Sequence, residues 1–134
     1  MQQGGLEPRD SLAVECHWSA STGERAMQEL LRQEPGIDAV FAGSDQIALG
    51  ALGALFAAGR EVPSDVAVVG FDDMPEAQYF RPPLTTVHQK LVEVGRSAVQ
   101  QLHQLIESRG KPSHRDEGAV TLMAPELVLR ASSA

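Results

Sequence analysis

Four positions in this chain have the chemistry to hold a small polyhydroxylated molecule. Trp18 is the only tryptophan, and a flat indole can stack on the C–H face of a sugar or on a base. Asp72 directly follows an apolar run. A carboxylate there can accept two hydrogen bonds from neighbouring hydroxyls, and charge assistance makes such bonds strong. Ser44 offers a hydroxyl beside Asp45, and Gln89 offers an amide that both donates and accepts. Each has a plainer role open to it: Trp18 as a packing aromatic, Asp72–Asp73 as a turn, Ser44 and Asp45 as helix caps, and Gln89 as the first residue of a helix. Of the two cap residues, Asp45 is expected to cap and Ser44 to face a ligand.

Other chemistries lack a pattern. His17, His88, His103, His114 and the single Cys16 show no metal-ligand spacing, so neither a metal nor a cofactor is expected. No glycine loop suits a phosphate, and no nucleophile elbow surrounds Ser44. A triad can be drawn on paper from Ser44, His88 and Asp72, but such common residue types allow that in most chains. No catalytic residue is assigned, and no enzyme is expected.

Elements must bring these positions together. Residues 1–10 read as a loop, because Gly4, Gly5 and Pro8 resist regular structure. Residues 11–16 read as a strand. Ser21 and Glu24 form a capping box for a helix running to Gln33, with Ala26, Met27, Leu30 and Leu31 inward, and Pro35–Gly36 stops it. Residues 39–43 form a short apolar strand, residues 46–58 a helix ended by Gly59, and residues 66–71 a continuously apolar strand of the kind covered on both faces. A loop or short helix spans 72–83, and residues 84–87 are extended. A long amphipathic helix over 89–109 carries Leu91, Val94, Ala98, Leu102 and Leu105 on one face, and Gly110 and Pro112 end it. A charged loop over 113–118 precedes strands at 119–123 and 126–130. This alternation predicts an α/β fold with a mainly parallel sheet and helices on both faces, in three layers. Ligands of such sheets sit beyond the carboxyl ends of the strands. There the sequence places Trp18, then Ser44–Asp45, then Asp72–Asp73.

Composition narrows the partners. The net charge is −7, so phosphate backbones should repel the chain and direct nucleic-acid binding is not expected. No apolar run approaches about 18 residues, so no membrane span is expected. The first residues lack a signal-peptide pattern, and one cysteine fits a reducing cytoplasm. Residues 46–59 contain no charge at all, and Ile47, Leu49, Leu52, Leu55 and Phe56 surround that helix. An all-round apolar helix must be covered all round, by its own chain or by a second one; an interface is favoured.

Four segments carry a family likeness. Residues 39–51 (AVFAGSDQIALGA), 62–73 (VPSDVAVVGFDD), 82–89 (PPLTTVHQ) and 125–132 (PELVLRAS) resemble, in order and spacing, segments of the LacI/GalR family of bacterial transcription repressors. The likeness covers about residues 11–132. It implies a periplasmic-binding-protein-like fold of two lobes closing on a small effector, whose binding changes the DNA affinity of a separate headpiece. By position it implies that Trp18 stacks on ligand, Asp72 binds hydroxyls, Ser44 lines the pocket and Gln89 lies at its edge. It also implies a homodimer using the helix from Gln46 (Ile47, Leu49, Leu52, Phe56) together with Tyr79 and Phe80. The expected effector is a sugar, with a nucleoside as the alternative, in a cytoplasmic protein that meets DNA only through an N-terminal headpiece.

The same resemblance carries departures. The headpiece, nearly all of the N-terminal lobe and a usual pocket arginine have no counterpart in these residues. In the family, the helix matching residues 89–109 packs in the N-terminal lobe. Here it is expected to dock abnormally, exchange between chains or move. The chain alone is expected to hold neither operator nor sugar appreciably. The runner-up is a transport-linked sugar-binding protein of the same fold; a sugar-modifying enzyme domain is a third reading.

Overall fold

The computed structural model describes residues 12–107 and 120–134. Their elements are α1 (Ala20–Gln33), β1 (Ala39–Phe41), α2 (Asp45–Ala57), β2 (Ala67–Asp72), a short 3-10 helix (Ala77–Tyr79), β3 (Thr85–His88), α3 (Leu91–Glu107) and β4 (Glu126–Val128). The sheet order is β1-β2-β3-β4. β1 and β3 both run parallel to β2, with Phe41 beside Val69, Val69 beside Thr85, and Asp72 beside His88. A mainly parallel sheet with helices is the α/β architecture expected.

The chain divides into two compact units, residues 1–88 with 127–134, and residues 89–126. The first unit holds the core. Met27, Leu55, Val66, Val68 and Leu84 are fully buried, and each contributes on the order of 1.5–3 kcal/mol through the apolar surface it removes from water. α1 and α2 pack backbone to backbone. A Cβ on Gly50 would stand 1.9 Å from the Ala20 carbonyl oxygen, and one on Gly23 would stand 2.3 Å from that of Ile47. Glycine at both positions sets how closely the helices approach.

α2 has a buried side formed by Ala48, Ala51, Leu52, Ala54 and Leu55. Gln46, Leu49, Gly53 and Phe56 are exposed on the other side. Gly59 follows the helix at φ +68, as its stop requires. In β2, Val68 and Gly70 are buried, while Val69 and Phe71 on the opposite face are half-buried. The Phe71 ring meets Phe41 edge to face at 6.4 Å.

The carboxyl-terminal tail hooks into this sheet. Ser132 is fully buried. Its Oγ donates to the Val68 carbonyl (2.6 Å) and accepts from the Thr85 amide (2.8 Å). Its carbonyl accepts from the Val68 amide at 2.8 Å, and its amide donates to the Pro83 carbonyl at 3.0 Å. Ser132 thereby pairs the backbone groups of β2 and β3 just ahead of the point where the two strands join.

The second unit contains α3 and the segment that returns along it. Gln101 donates to Thr121 Oγ1 at 2.8 Å, and Lys90 pairs with Glu126. No residue of α3 is buried; Leu91, Leu102 and Leu105 are each more than half exposed.

Several sequence expectations need correction. Residues 12–16 form no strand; Leu12 and Val14 pack against the core without pairing into the sheet. The α1 cap is Ser19 rather than Ser21: Ser19 Oγ accepts from the Thr22 amide at 3.4 Å. Thr22 Oγ1 in turn donates to the His17 carbonyl at 2.6 Å. Residues 120–123 form no strand. The loops expected over 1–10 and 113–118, and the helix stop at Gly110 and Pro112, lie outside the described residues.

Candidate functional site

The carboxyl ends of β1 and β2 meet at the N-terminus of α2. Ser44 is the N-cap: its Oγ accepts from the Ile47 amide at 3.2 Å, and the side chain is buried. The cap is therefore Ser44 and not, as expected, Asp45. Asp45 is the first helical residue and does not cap. Its carboxylate, 1% exposed, turns from the helix toward the loop after β2. Oδ1 accepts from Thr86 Oγ1 at 2.5 Å and Oδ2 from the Met74 amide at 2.7 Å. Thr86 Oγ1 also accepts from the Asp73 amide at 3.3 Å. Burial pushes the Asp45 carboxyl above the usual carboxylate value. The Thr86 and Met74 bonds oppose that shift, and the charges of Asp72 and Asp73 add to it.

Gly70 makes this arrangement possible. A Cβ there would lie 2.4 Å from Asp45 Oδ1 and 2.8 Å from Leu84 Cδ2. A glycine inside an apolar strand often marks such a close approach.

The loop that Asp45 holds is unusual. Asp72 has φ 106 and Asp73 φ 53, two consecutive non-glycine residues in the positive region. Each costs on the order of 1–3 kcal/mol and persists only where surrounding contacts dictate it. Further contacts come from Asp73 itself: its Oδ1 accepts from Arg130 at 2.7 Å, and its Oδ2 lies 3.1 Å from His88 Nδ1. Arg130 also donates to the Leu84 carbonyl at 2.8 Å.

Trp18 is 75% exposed and lines a cavity of about 730 Å³ with Val14, Met27, Phe41, Gly43 and Ile47. That places it at the carboxyl end of β1, although the strand expected to lead into it is absent. Asp72 ends β2, and Ser44 and Asp45 open α2. These positions therefore share the first unit. Gln89 belongs to the second unit, where its carbonyl accepts from the Leu91 amide at 2.7 Å.

The expected dimer residues divide. Leu52 and Phe80 are buried in their own chain, 6% and 8% exposed. They fill the core and cannot supply an exposed interface, which corrects their assignment. Ile47 is half-buried, while Leu49, Phe56 and Tyr79 are exposed. Sequence reasoning missed Thr86, Arg130 and Ser132. Glycine at position 70 was the one local signal that something polar must approach β2 from α2.

Among the described residues no helix is long and apolar enough to cross a membrane. A mainly parallel four-stranded sheet flanked by helices is the periplasmic-binding-protein-like architecture. The chain belongs to the periplasmic binding protein-like domain family, matched over residues 1–133, and corresponds to the C-terminal part of the effector-binding domain of LacI/GalR-type regulators. It is 36% identical to the HTH-type transcriptional repressor PurR of Serratia proteamaculans (strain 568), over all of this chain and 38% of that protein. Among solved structures, the transcriptional regulator CelR in complex with cellobiose superposes with a TM-score of 0.86 at 36% identity, covering 98% of this chain and 39% of that one. The lac repressor dimer bound to operator and the anti-inducer ONPF gives 0.81 at 28% identity, covering 98% and 43%. The chain thus spans well under half the length of these relatives.

Proposed function

We propose that this chain is the effector-sensing part of a cytoplasmic, DNA-binding transcriptional repressor, and that it is not an enzyme. The effector is a sugar or related polyol. Asp72 accepts its hydroxyls, Trp18 stacks on its apolar face, and Ser44 contributes at the edge. The carrying observation is the Asp72–Asp73 turn, an energetically costly backbone fixed at the carboxyl end of a parallel strand, where ligands of such sheets bind. The cellobiose bound by CelR supports a sugar. A nucleoside is the second reading, since the exposed Trp18 indole would stack on a base as well as on a sugar.

The protein acts as a homodimer, using Leu49 and Phe56 on the exposed side of α2 together with Ile47 and the exposed Tyr79. DNA is met by a headpiece of the longer protein, since this acidic chain would be repelled by phosphates. No cofactor or metal takes part.

Calorimetric titration of the complete polypeptide with cellobiose, lactose and guanosine tests the reading. Asp72→Asn should weaken binding of the recognised ligand by about tenfold or more, the loss of a charge-assisted hydrogen bond. Unchanged affinity in this variant, or heat from none of the three ligands, would count against the proposed site.

A further inference from the structure

Asp45 has a function that neither helix capping nor ligand contact accounts for. It is buried, yet it points out of its helix at a loop 29 residues away. Both carboxylate oxygens are occupied, Oδ1 by the Thr86 hydroxyl and Oδ2 by the Met74 amide. Thr86 relays the contact one step further by accepting from the Asp73 amide. The amides of Asp73 and Met74, immediately after the positive-φ Asp72, are therefore both fixed from one carboxylate. On the other side, Asp73 Oδ1 is held by Arg130 and Oδ2 faces His88. β2 gives up a side chain at Gly70 to admit the Asp45 carboxylate.

We infer that Asp45 is the positioning residue of the Asp72–Asp73 turn: by accepting simultaneously from Thr86 Oγ1 and the Met74 amide, it holds Asp72 in the backbone conformation that presents it for effector binding. The inference rests on the reading of Asp72 as an effector ligand, but its structural content can be tested separately. It also gives α2 a direct mechanical link to the effector loop. A movement of Asp45 with the start of α2 is transmitted to Asp73 and Met74 through two hydrogen bonds.

Residue-resolved amide hydrogen exchange on the 134-residue chain is the test. Asp45→Asn keeps the shape of the side chain but can accept at only one atom. It should speed exchange at Asp73 and Met74 about tenfold or more, while amides in α1 and at Leu55 keep their parent rates. Thr86→Val, of nearly the same shape, should produce the same local effect, and Thr86→Ser should restore parent rates. Asp72→Asn should leave exchange at Met74 at the parent rate whatever it does to ligand affinity, so failure of the effector reading and failure of the positioning role are distinguishable. Unchanged exchange at Met74 in both Asp45→Asn and Thr86→Val would overturn the inference. So would acceleration spread evenly over every core amide, which marks a residue that only stabilises the fold. Should Asp45→Asn not fold, the Thr86 pair alone decides.

Discussion

The turn after β2 and the helix α3 are built on opposite terms. At the turn, polar groups are paired inside the first unit: Asp45, Thr86, Asp73 and Arg130 form one connected network, and Ser132 closes the sheet below it. α3 has a helix-period apolar face, yet none of its residues is buried. An amphipathic helix draws most of its stability from the surface it packs on rather than from its own propensity. One region therefore carries its supports within its own unit, while the other presents an apolar face suited to a surface beyond those residues.

The sharpest way to break the comparison is a matched pair of truncations. Leu55 is fully buried and Leu102 is 58% exposed. Leu55→Ala should cost about 3 kcal/mol of unfolding free energy, through lost transfer energy and the cavity left behind. Leu102→Ala should stay within about 0.5 kcal/mol. Urea denaturation of the two variants measures both. A Leu102→Ala cost approaching that of Leu55→Ala would mean that α3 is packed.

A smaller effect lies in the pH dependence of the turn. Burial raises the Asp45 carboxyl above its ordinary value of 3.8, despite the opposing bonds from Thr86 and Met74, and Asp72 and Asp73 add repulsion. The folded chain then holds this proton more tightly than the unfolded chain does. The stability this contributes is fully present below 3.8 and is lost as pH rises through the higher folded value. The unfolding free energy of the parent minus that of Asp45→Asn should therefore fall as pH rises above 3.8. A difference that rises with pH would mean that the hydrogen bonds outweigh the cost of burying the charge.

Much of this was legible in the sequence because it rests on local patterns. The alternation of elements, the stops at Pro35 and Gly59, and the clustering of Ser44, Asp45, Asp72 and Asp73 at strand ends follow from short-range rules. What escaped depended on distant pairings. Whether Ser44 or Asp45 caps α2 is decided by Thr86 and Met74, which draw the Asp45 carboxylate away from its own helix. Leu52 and Phe56 look alike in an uncharged helix, and only the placement of α1 and the sheet buries the first and leaves the second in water. The β-compatible residues 12–16 lack a strand for the same reason: composition permits extension, but the sheet must supply a partner.

The account turns on the contrast between the internally bonded turn after β2 and α3, none of whose residues is buried, and hydrogen exchange across the chain measures that contrast directly. The amides of β2, of α2 from Ala48 to Leu55 and of Met74 should exchange only on global unfolding. Those of α3 should exchange about a hundredfold faster or more, through local opening. Protection in α3 equal to that in β2, or a Met74 amide as fast as those of α3, would contradict it.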